Sequence, residues 1–383
     1  MTDKVRVAAV FCDSYDEEKV YSALKEGIDS LGGIGRFVSK DENILVKPNF
    51  LSASDPEKAV ITHPSVIKAM LRILSEEGYP MVCCGDSPGH GSPHAALARA
   101  GLSDIVSEFG VYEADMSTEI SFDFADGLTS DHFYFTKAAF EADAVINLCK
   151  MKTHALERIT GAVKNVYGLI CGYRKAQGHV KYPNDNVFAR MLCDIHRARN
   201  ICLNVMDGIT AMEGNGPGSG IPAAMNILLI SDDPVAVDAV FCRLVNLDPE
   251  LVPTNVQGKA MGIGTYYDDE IEIVSGGEIV SLDRLCLKFG NAGFDVDRTG
   301  RKKTFLSGFS KFMTGLARKP YIDKKKCIGC GICESHCPLP EKAIVFRNGR
   351  GKAPSYDYSR CIRCYCCQEM CPEKAIKVRG RYD

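Results

Sequence analysis

Two cysteine runs constrain this chain more than any other feature. The sequence Cys327-Ile-Gly-Cys330-Gly-Ile-Cys333-Glu-Ser-His-Cys337-Pro338 is followed 34 residues later by Cys361-Ile-Arg-Cys364-Tyr-Cys-Cys367-Gln-Glu-Met-Cys371-Pro372. Both are complete C-x2-C-x2-C-x3-C-P runs. Thiolates at this spacing wrap three corners of an iron–sulfur cube, and the fourth cysteine of each run crosses to the other cube. The spacing therefore predicts two [4Fe–4S] clusters, one on Cys327, Cys330, Cys333 and Cys371, the other on Cys361, Cys364, Cys367 and Cys337. Glu-Lys-Ala-Ile follows each run, at 341–344 and 373–376, so the duplication extends past the ligands. The competing reading is zinc, but zinc sites use paired C-x2-C knuckles rather than three evenly spaced cysteines and C-x3-C-P. Cys366 falls inside the second run and is expected to be a bystander.

Nine of the 18 cysteines lie in this region, and the rest are scattered through apolar segments, where they behave as small core residues. The pattern is not a secreted disulfide scaffold, because the chain has 383 residues and no export signal is visible. No apolar stretch approaches the roughly 20 residues needed to cross a bilayer. A cytoplasmic, reducing and low-oxygen setting is expected. The net charge of -3 gives no global attraction for nucleic acid.

From residue 5 to about 300, short apolar runs alternate with segments of helical period. The fold expected is α/β, a large domain (1–300) with a mostly parallel sheet covered on both faces, followed by a small α+β ferredoxin-like two-cluster domain (321–383). Strands are expected at Val5–Phe11, Asn43–Pro48, Met81–Gly85, Phe133–Thr136, Ala144–Cys149, Ile201–Met206, Met225–Ile230 and Glu272–Val274. Helices are expected at Glu17–Leu31, Pro64–Glu77, Pro93–Phe109, Asn186–Arg197, Pro234–Val245 and Leu251–Met261. Between the domains, residues 301–326 hold nine Lys or Arg against the single acid Asp323, and helical spacing of apolar residues predicts a basic amphipathic linker helix at 301–320. That helix either packs between the domains or docks on an acidic partner or, peripherally, on a membrane surface.

The large domain lacks a P-loop, H-E-x-x-H, G-x-S-x-G and a convincing G-x-G-x-x-G. Polar clusters instead follow the expected strands, where ligands of such sheets sit. They are Lys47-Pro-Asn49, Thr62-His63-Pro, Asp86-Ser-Pro-Gly, Lys150-Met-Lys152-Thr-His154, Lys164-Asn165, His179, Asp207 and the glycine loop Glu213–Gly220. Ser92 before Pro93 is a candidate N-cap. Cations and amides at strand ends suit a carboxylated or phosphorylated ligand.

These blocks, with Gly161-Ala-Val-Lys-Asn-Val-Tyr-Gly, Asp207-Gly-Ile-x-Ala-Met-Glu-Gly-Asn-Gly-Pro and Val235-Ala-Val-Asp238, resemble the signature blocks of the DUF362 family and stand in that family's order. The C-terminal runs resemble the bacterial two-cluster ferredoxins, which implies low-potential one-electron transfer. Many members of the first family resemble this chain in carrying such a C-terminal module. The resemblance implies architecture and site positions, not a substrate.

Three functions compete. The first is a redox enzyme passing electrons between the clusters and an anionic substrate or second cofactor. In it His154, Lys152, Lys164 and His179 act on the reacting group, and Lys47, Asn49, His63, Asp86, Lys150, Asn165, Asp207 and Glu213 bind the ligand. No flavin or nicotinamide fingerprint is visible, and flavin sites vary enough to leave an organic cofactor open. The second is an electron-transfer adaptor that docks on a partner oxidoreductase. The third is a non-redox enzyme with structural or sensing clusters.

Overall fold

The computed structural model of the chain describes residues 4–89, 91–103, 108–299 and 318–379. In chain order the large domain runs β1 (Val5–Phe11), α1 (Glu17–Ser30), β2 (Ile44–Lys47), α2 (Pro64–Glu76), β3 (Val82–Cys84), α3 (Pro93–Arg99), β4 (Tyr112–Glu113), β5 (Glu119–Asp123), β6 (His132–Thr136), α4 (Lys137–Glu141), β7 (Ala144–His154), β8 (Arg158–Thr160), α5 (Ala162–Asn165), α6 (Gly172–Lys181), α7 (Asp185–Ala198), β9 (Ile201–Glu213), β10 (Ile221–Ser231), α8 (Pro234–Leu244), α9 (Pro253–Ala260), β11 (Ile271–Ser275), β12 (Glu278–Val280) and α10 (Leu282–Phe289). The cluster module follows as β13 (Lys319–Ile322), α11 (Ile332–Ser335), β14 (Ile344–Val345), β15 (Ser355–Tyr356), α12 (Cys366–Glu369) and β16 (Ile376–Arg379).

A ten-stranded sheet in the order β12-β11-β1-β10-β9-β7-β2-β3-β4 forms the body, with β8 paired to β7. The block β9-β7-β2-β3-β4 is parallel, as is β1 with β11, while β1, β10 and β9 are joined antiparallel. All eleven residues of β7 are buried, as a strand covered on both faces requires. Its successive side chains feed two cores. Val145, Cys149 and Met151 pack with Phe188, Leu192 and Phe241, whereas Ala144, Ile146 and Leu148 pack with Leu24, Ile28 and Met70. The period of two along a strand produces this split, and each fully buried large apolar side chain contributes about 1.5–3 kcal/mol.

Helix starts follow the capping chemistry. Ser92 Oγ accepts from Ala95 N ahead of Pro93, and Asp233 accepts from Ala236 N ahead of Pro234, each satisfying an otherwise orphaned donor. Several boundaries differ from expectation. The helix opened by Pro93 stops at Arg99, just before Gly101 at φ +72°. Strands β7 and β9 run on past their apolar halves to His154 and Glu213, because Lys152 still pairs with Met212 of β9 and with Thr160 of β8. Helix α6 was not foreseen. Most of the expected 301–320 linker helix lies outside the described residues. Its last two residues, Lys319 and Pro320, are extended and pair with Arg379 and Val378 in β13–β16.

His196 on α7 places Nε2 3.2 Å from the Val163 carbonyl, and burial pushes its pKa down to about 4. The folded chain therefore keeps this ring neutral while the unfolded chain protonates it below about 6.5, so the stability it supports is lost as pH falls from about 6.5 towards 4. His196→Gln removes the titration. Its stability deficit against wild type is expected to shrink by about 2 kcal/mol between pH 6.5 and 5, read from paired denaturant titrations. A deficit constant over that interval would count against this account.

Candidate functional site

Where β2 and β3 end, a layer of buried polar groups replaces the apolar core. Lys47, fully buried, pairs with Asp86 at 2.9 Å and donates to Pro48 O at 3.0 Å. Burial pushes the Lys47 ammonium down, and Asp86 opposes that shift. Asp86 Oδ2 also accepts from Phe50 N at 2.6 Å. Gly168 lies against this pair. A Cβ there would overlap Asp86 Oδ1 and come within 2.5 Å of Lys47 Nζ.

A relay of amides runs beside the pair. Asn49 donates to Asn165 Oδ1 at 2.7 Å, Asn165 to Asn147 Oδ1 at 2.7 Å, and Asn147 to Asn204 Oδ1 at 2.8 Å. Lys152 closes its near end by donating to Asn49 Oδ1 and Val60 O, both at 2.7 Å. Burial, with Lys164 nearby, pushes the Lys152 ammonium down to about 7. In a low-dielectric interior such chains specify one arrangement, because any unmade bond is costly.

Above this layer lies a cavity of about 110 Å³ walled by both domains. The large domain contributes Asn49, Asp86 and Asn165, and Thr160, Lys164, Lys175 and His179 complete its polar wall. The cluster module contributes His336, Cys366, Glu369 and Met370. Lys175 and His179 are four residues apart on α6 and so share one face. Lys175 donates to Ser87 O, and burial pushes its pKa down to about 8. Burial likewise takes His179 down to about 4, so it is a neutral imidazole at neutral pH, stacked on Phe188 at 4.5 Å. Burial alone would push the Glu369 carboxyl up, but His154, Lys164 and His179 together hold it down at about 2.

The glycine loop 213–220, considered from sequence as a ligand loop, receives the module instead. Gln368 Nε2 donates to the Asn215 and Gly216 carbonyls at 2.9 and 3.0 Å, and Asn215 Nδ2 donates to Ile376 O at 3.0 Å. At Gly218 the loop lies close against the module, since a Cβ there would come within 3.2 Å of Glu369 O.

The sequence candidates divide four ways. Asn49, Asp86, Lys164, Asn165 and His179 line the cavity. Lys47, Lys152 and His154 stand one layer behind it. His154 Nδ1 accepts from Leu156 N and Glu157 N, which leaves Nε2 facing Glu369 Oε1 at 3.1 Å; burial lowers its pKa to about 4. Lys150, Asp207 and His63 form a separate cluster with Tyr15. Lys150 Nζ is 2.7 Å from Asp207 Oδ2 and 2.8 Å from the Tyr15 hydroxyl, His63 N donates to Asp207 Oδ2 at 3.0 Å, and the His63 ring stacks on Tyr15 at 3.6 Å. Glu213 accepts from Asp295 N at 2.9 Å, away from the cavity. Sequence reasoning missed Lys175, Cys366, Glu369 and His336 as site residues, and Thr160 entered it only as the first residue of the polar stretch 160–168. For Lys175 a signal existed in its i,i+4 spacing to His179.

In the module, Cys327, Cys330, Cys333 and Cys371 line one small cavity, and Cys337, Cys361, Cys364 and Cys367 line a second. Each set draws one cysteine from the other run. Among the described residues, no three His, Cys, Asp or Glu side chains converge on a point that would hold a single metal ion.

The fold and site define an α/β domain with a ligand-sized cavity, closed by a two-cluster module. The family described as "Domain of unknown function (DUF362)" matches residues 44–243, and "4Fe-4S dicluster domain" matches residues 326–375. The chain belongs to the DUF362 family. It is 32% identical over 259 residues, 67% of this chain and 79% of its counterpart, to "Thylakoid-associated protein sll1697" of Synechocystis sp.. Among solved structures it is similar to the lactate racemase apoprotein from Thermoanaerobacterium thermosaccharolyticum, at 12% identity and TM-score 0.42, over 64% of this chain and 57% of that one. A Thermotoga maritima protein matches at 16% identity and TM-score 0.34, over 57% of this chain and 56% of that one. Among the described residues no helix is long and apolar enough to cross a membrane.

Proposed function

We propose that the protein is an iron–sulfur oxidoreductase that exchanges low-potential electrons between two [4Fe–4S] clusters and an anionic substrate or second cofactor in the interdomain cavity. The observation that carries this reading is the composite wall. Cys366, Glu369 and Met370 face the cavity from the segment that also bears Cys364, Cys367 and Cys371. The two cysteine sets fit cubes better than zinc, since tetrahedral zinc at about 2.3 Å from each sulfur would need them to converge. Bound there, the clusters supply one-electron transfer.

The chain's own residues do the rest. Lys164, which makes no hydrogen bond or ion pair among the described residues, binds the negative end of the ligand. Lys175 and His179 hold and exchange a proton at the ligand atom that gains or loses charge. Lys152 and His154 act indirectly, fixing Asn49 and Glu369. In anaerobic protein reduced with dithionite, a panel of small carboxylates is expected to include one that reoxidises wild type at least about tenfold faster than Lys164→Gln, the loss of a charge-assisted hydrogen bond. Iron content should be unchanged. Equal rates in the two proteins would contradict the proposal.

A second reading, an adaptor docking on a partner oxidoreductase, draws on the exposed Cys330 and the 56% exposed Ile328 beside exposed Lys324, Lys325 and Lys326. Retained electron delivery to a partner in the Lys164→Gln protein would favour it.

A further inference from the structure

The cavity's polar groups are unequally matched. Thr160 Oγ1 has no hydrogen-bond partner among the described residues, while the residue is only 3% exposed and lines the cavity. Among the described residues Lys164 has no partner either, nor has either ring nitrogen of His179. A buried polar group left unpaired costs about 1–3 kcal/mol; Thr160 Oγ1 is such a group, and with the half-buried Lys164 and with His179 beside it in one wall it points to a ligand that satisfies them. All three are donors or able to donate, so the ligand is rich in acceptors. Charge narrows it further. Lys47 compensates Asp86, which leaves Lys164 and Lys175 against the single carboxylate of Glu369. One positive charge is uncompensated.

Size narrows it again. The cavity volume is about 110 Å³. Sites for drug-sized ligands run to about 300–1,000 Å³, so the cavity favours a ligand smaller than an isoalloxazine ring system.

We infer that this cavity takes a small acyclic monocarboxylate, its carboxylate on Lys164 and a second acceptor oxygen on the Thr160 hydroxyl. The inference rests on the reading of the cavity as the ligand site of the proposed function, and it replaces the open choice between substrate and flavin with one ligand class.

Calorimetry on the anaerobic, cluster-loaded full chain tests it with pyruvate, its neutral twin pyruvamide, and flavin mononucleotide. Pyruvate is expected to bind saturably, pyruvamide at least about tenfold more weakly, and flavin mononucleotide not at all. Lys164→Gln and, independently, the near-isosteric Thr160→Val are each expected to weaken pyruvate at least about fivefold. If Lys164→Gln fails to fold, Thr160→Val still decides the outcome. Equal binding of pyruvate and pyruvamide, no pyruvate binding, or stoichiometric flavin mononucleotide would overturn the inference. Pyruvate that binds as expected yet leaves reduced clusters unoxidised would support it while sinking pyruvate turnover as the redox function.

Discussion

Replacing Lys47 with methionine is expected to destabilise the protein by about 3–5 kcal/mol, because the change strands a buried carboxylate. Asp86 is 4% exposed, and the Phe50 N–H, its remaining partner at 2.6 Å, cannot neutralise it. A loss of that size is a large fraction of the roughly 5–15 kcal/mol that holds a domain together. Lys47→Met with Asp86→Asn should recover part of the deficit, since an amide needs no counter-charge. Guanidinium titrations of the three proteins measure it. A single variant within 1 kcal/mol of wild type would mean that the pair is solvated, and the cavity floor described above would be wrong. Gly168→Ala should damage the same floor without altering any charge, through the overlap of its Cβ with Asp86.

The parallel core was readable because its strands are solidly apolar. Ala144-Val-Ile-Asn-Leu-Cys could hardly be anything other than a strand covered on both faces. The polar continuation Lys150–His154 is expected from sequence as a ligand cluster following the strand, since nothing in a single sequence says that a strand keeps its pairing partners past its apolar half. Once it is strand, these side chains are spread along its length. Lys150 turns to Tyr15 and Asp207, Lys152 to Asn49, and His154 to Glu369. Proximity in sequence therefore overstated proximity in space. Helix 172–181 escaped notice because His179 is its one buried residue, so no apolar stripe marks it. The cavity's far wall was illegible for a different reason. Glu369 and Cys366 sit inside a cysteine run whose spacing is explained by cluster ligation alone, and their approach to Lys164 and His179 depends on how the module seats on the glycine loop. That seating is tertiary packing between segments about 150 residues apart, as in Gln368 to Gly216. Cys366, read as a bystander, lies in the cavity wall.

The second large effect concerns the crossed cysteine sets. Cys337 shares a cavity with Cys361, Cys364 and Cys367, and Cys371 with Cys327, Cys330 and Cys333. Cys337→Ala with Cys361→Ala should therefore strip one cube and leave about four irons, whereas Cys333→Ala with Cys337→Ala should damage both. An uncrossed arrangement predicts the reverse. The measurement that bears most directly on the whole account is iron and acid-labile sulfide in the anaerobically purified wild-type chain, taken alongside these two pairs. About eight of each per chain is the predicted result; stoichiometric zinc with no labile sulfide would contradict it.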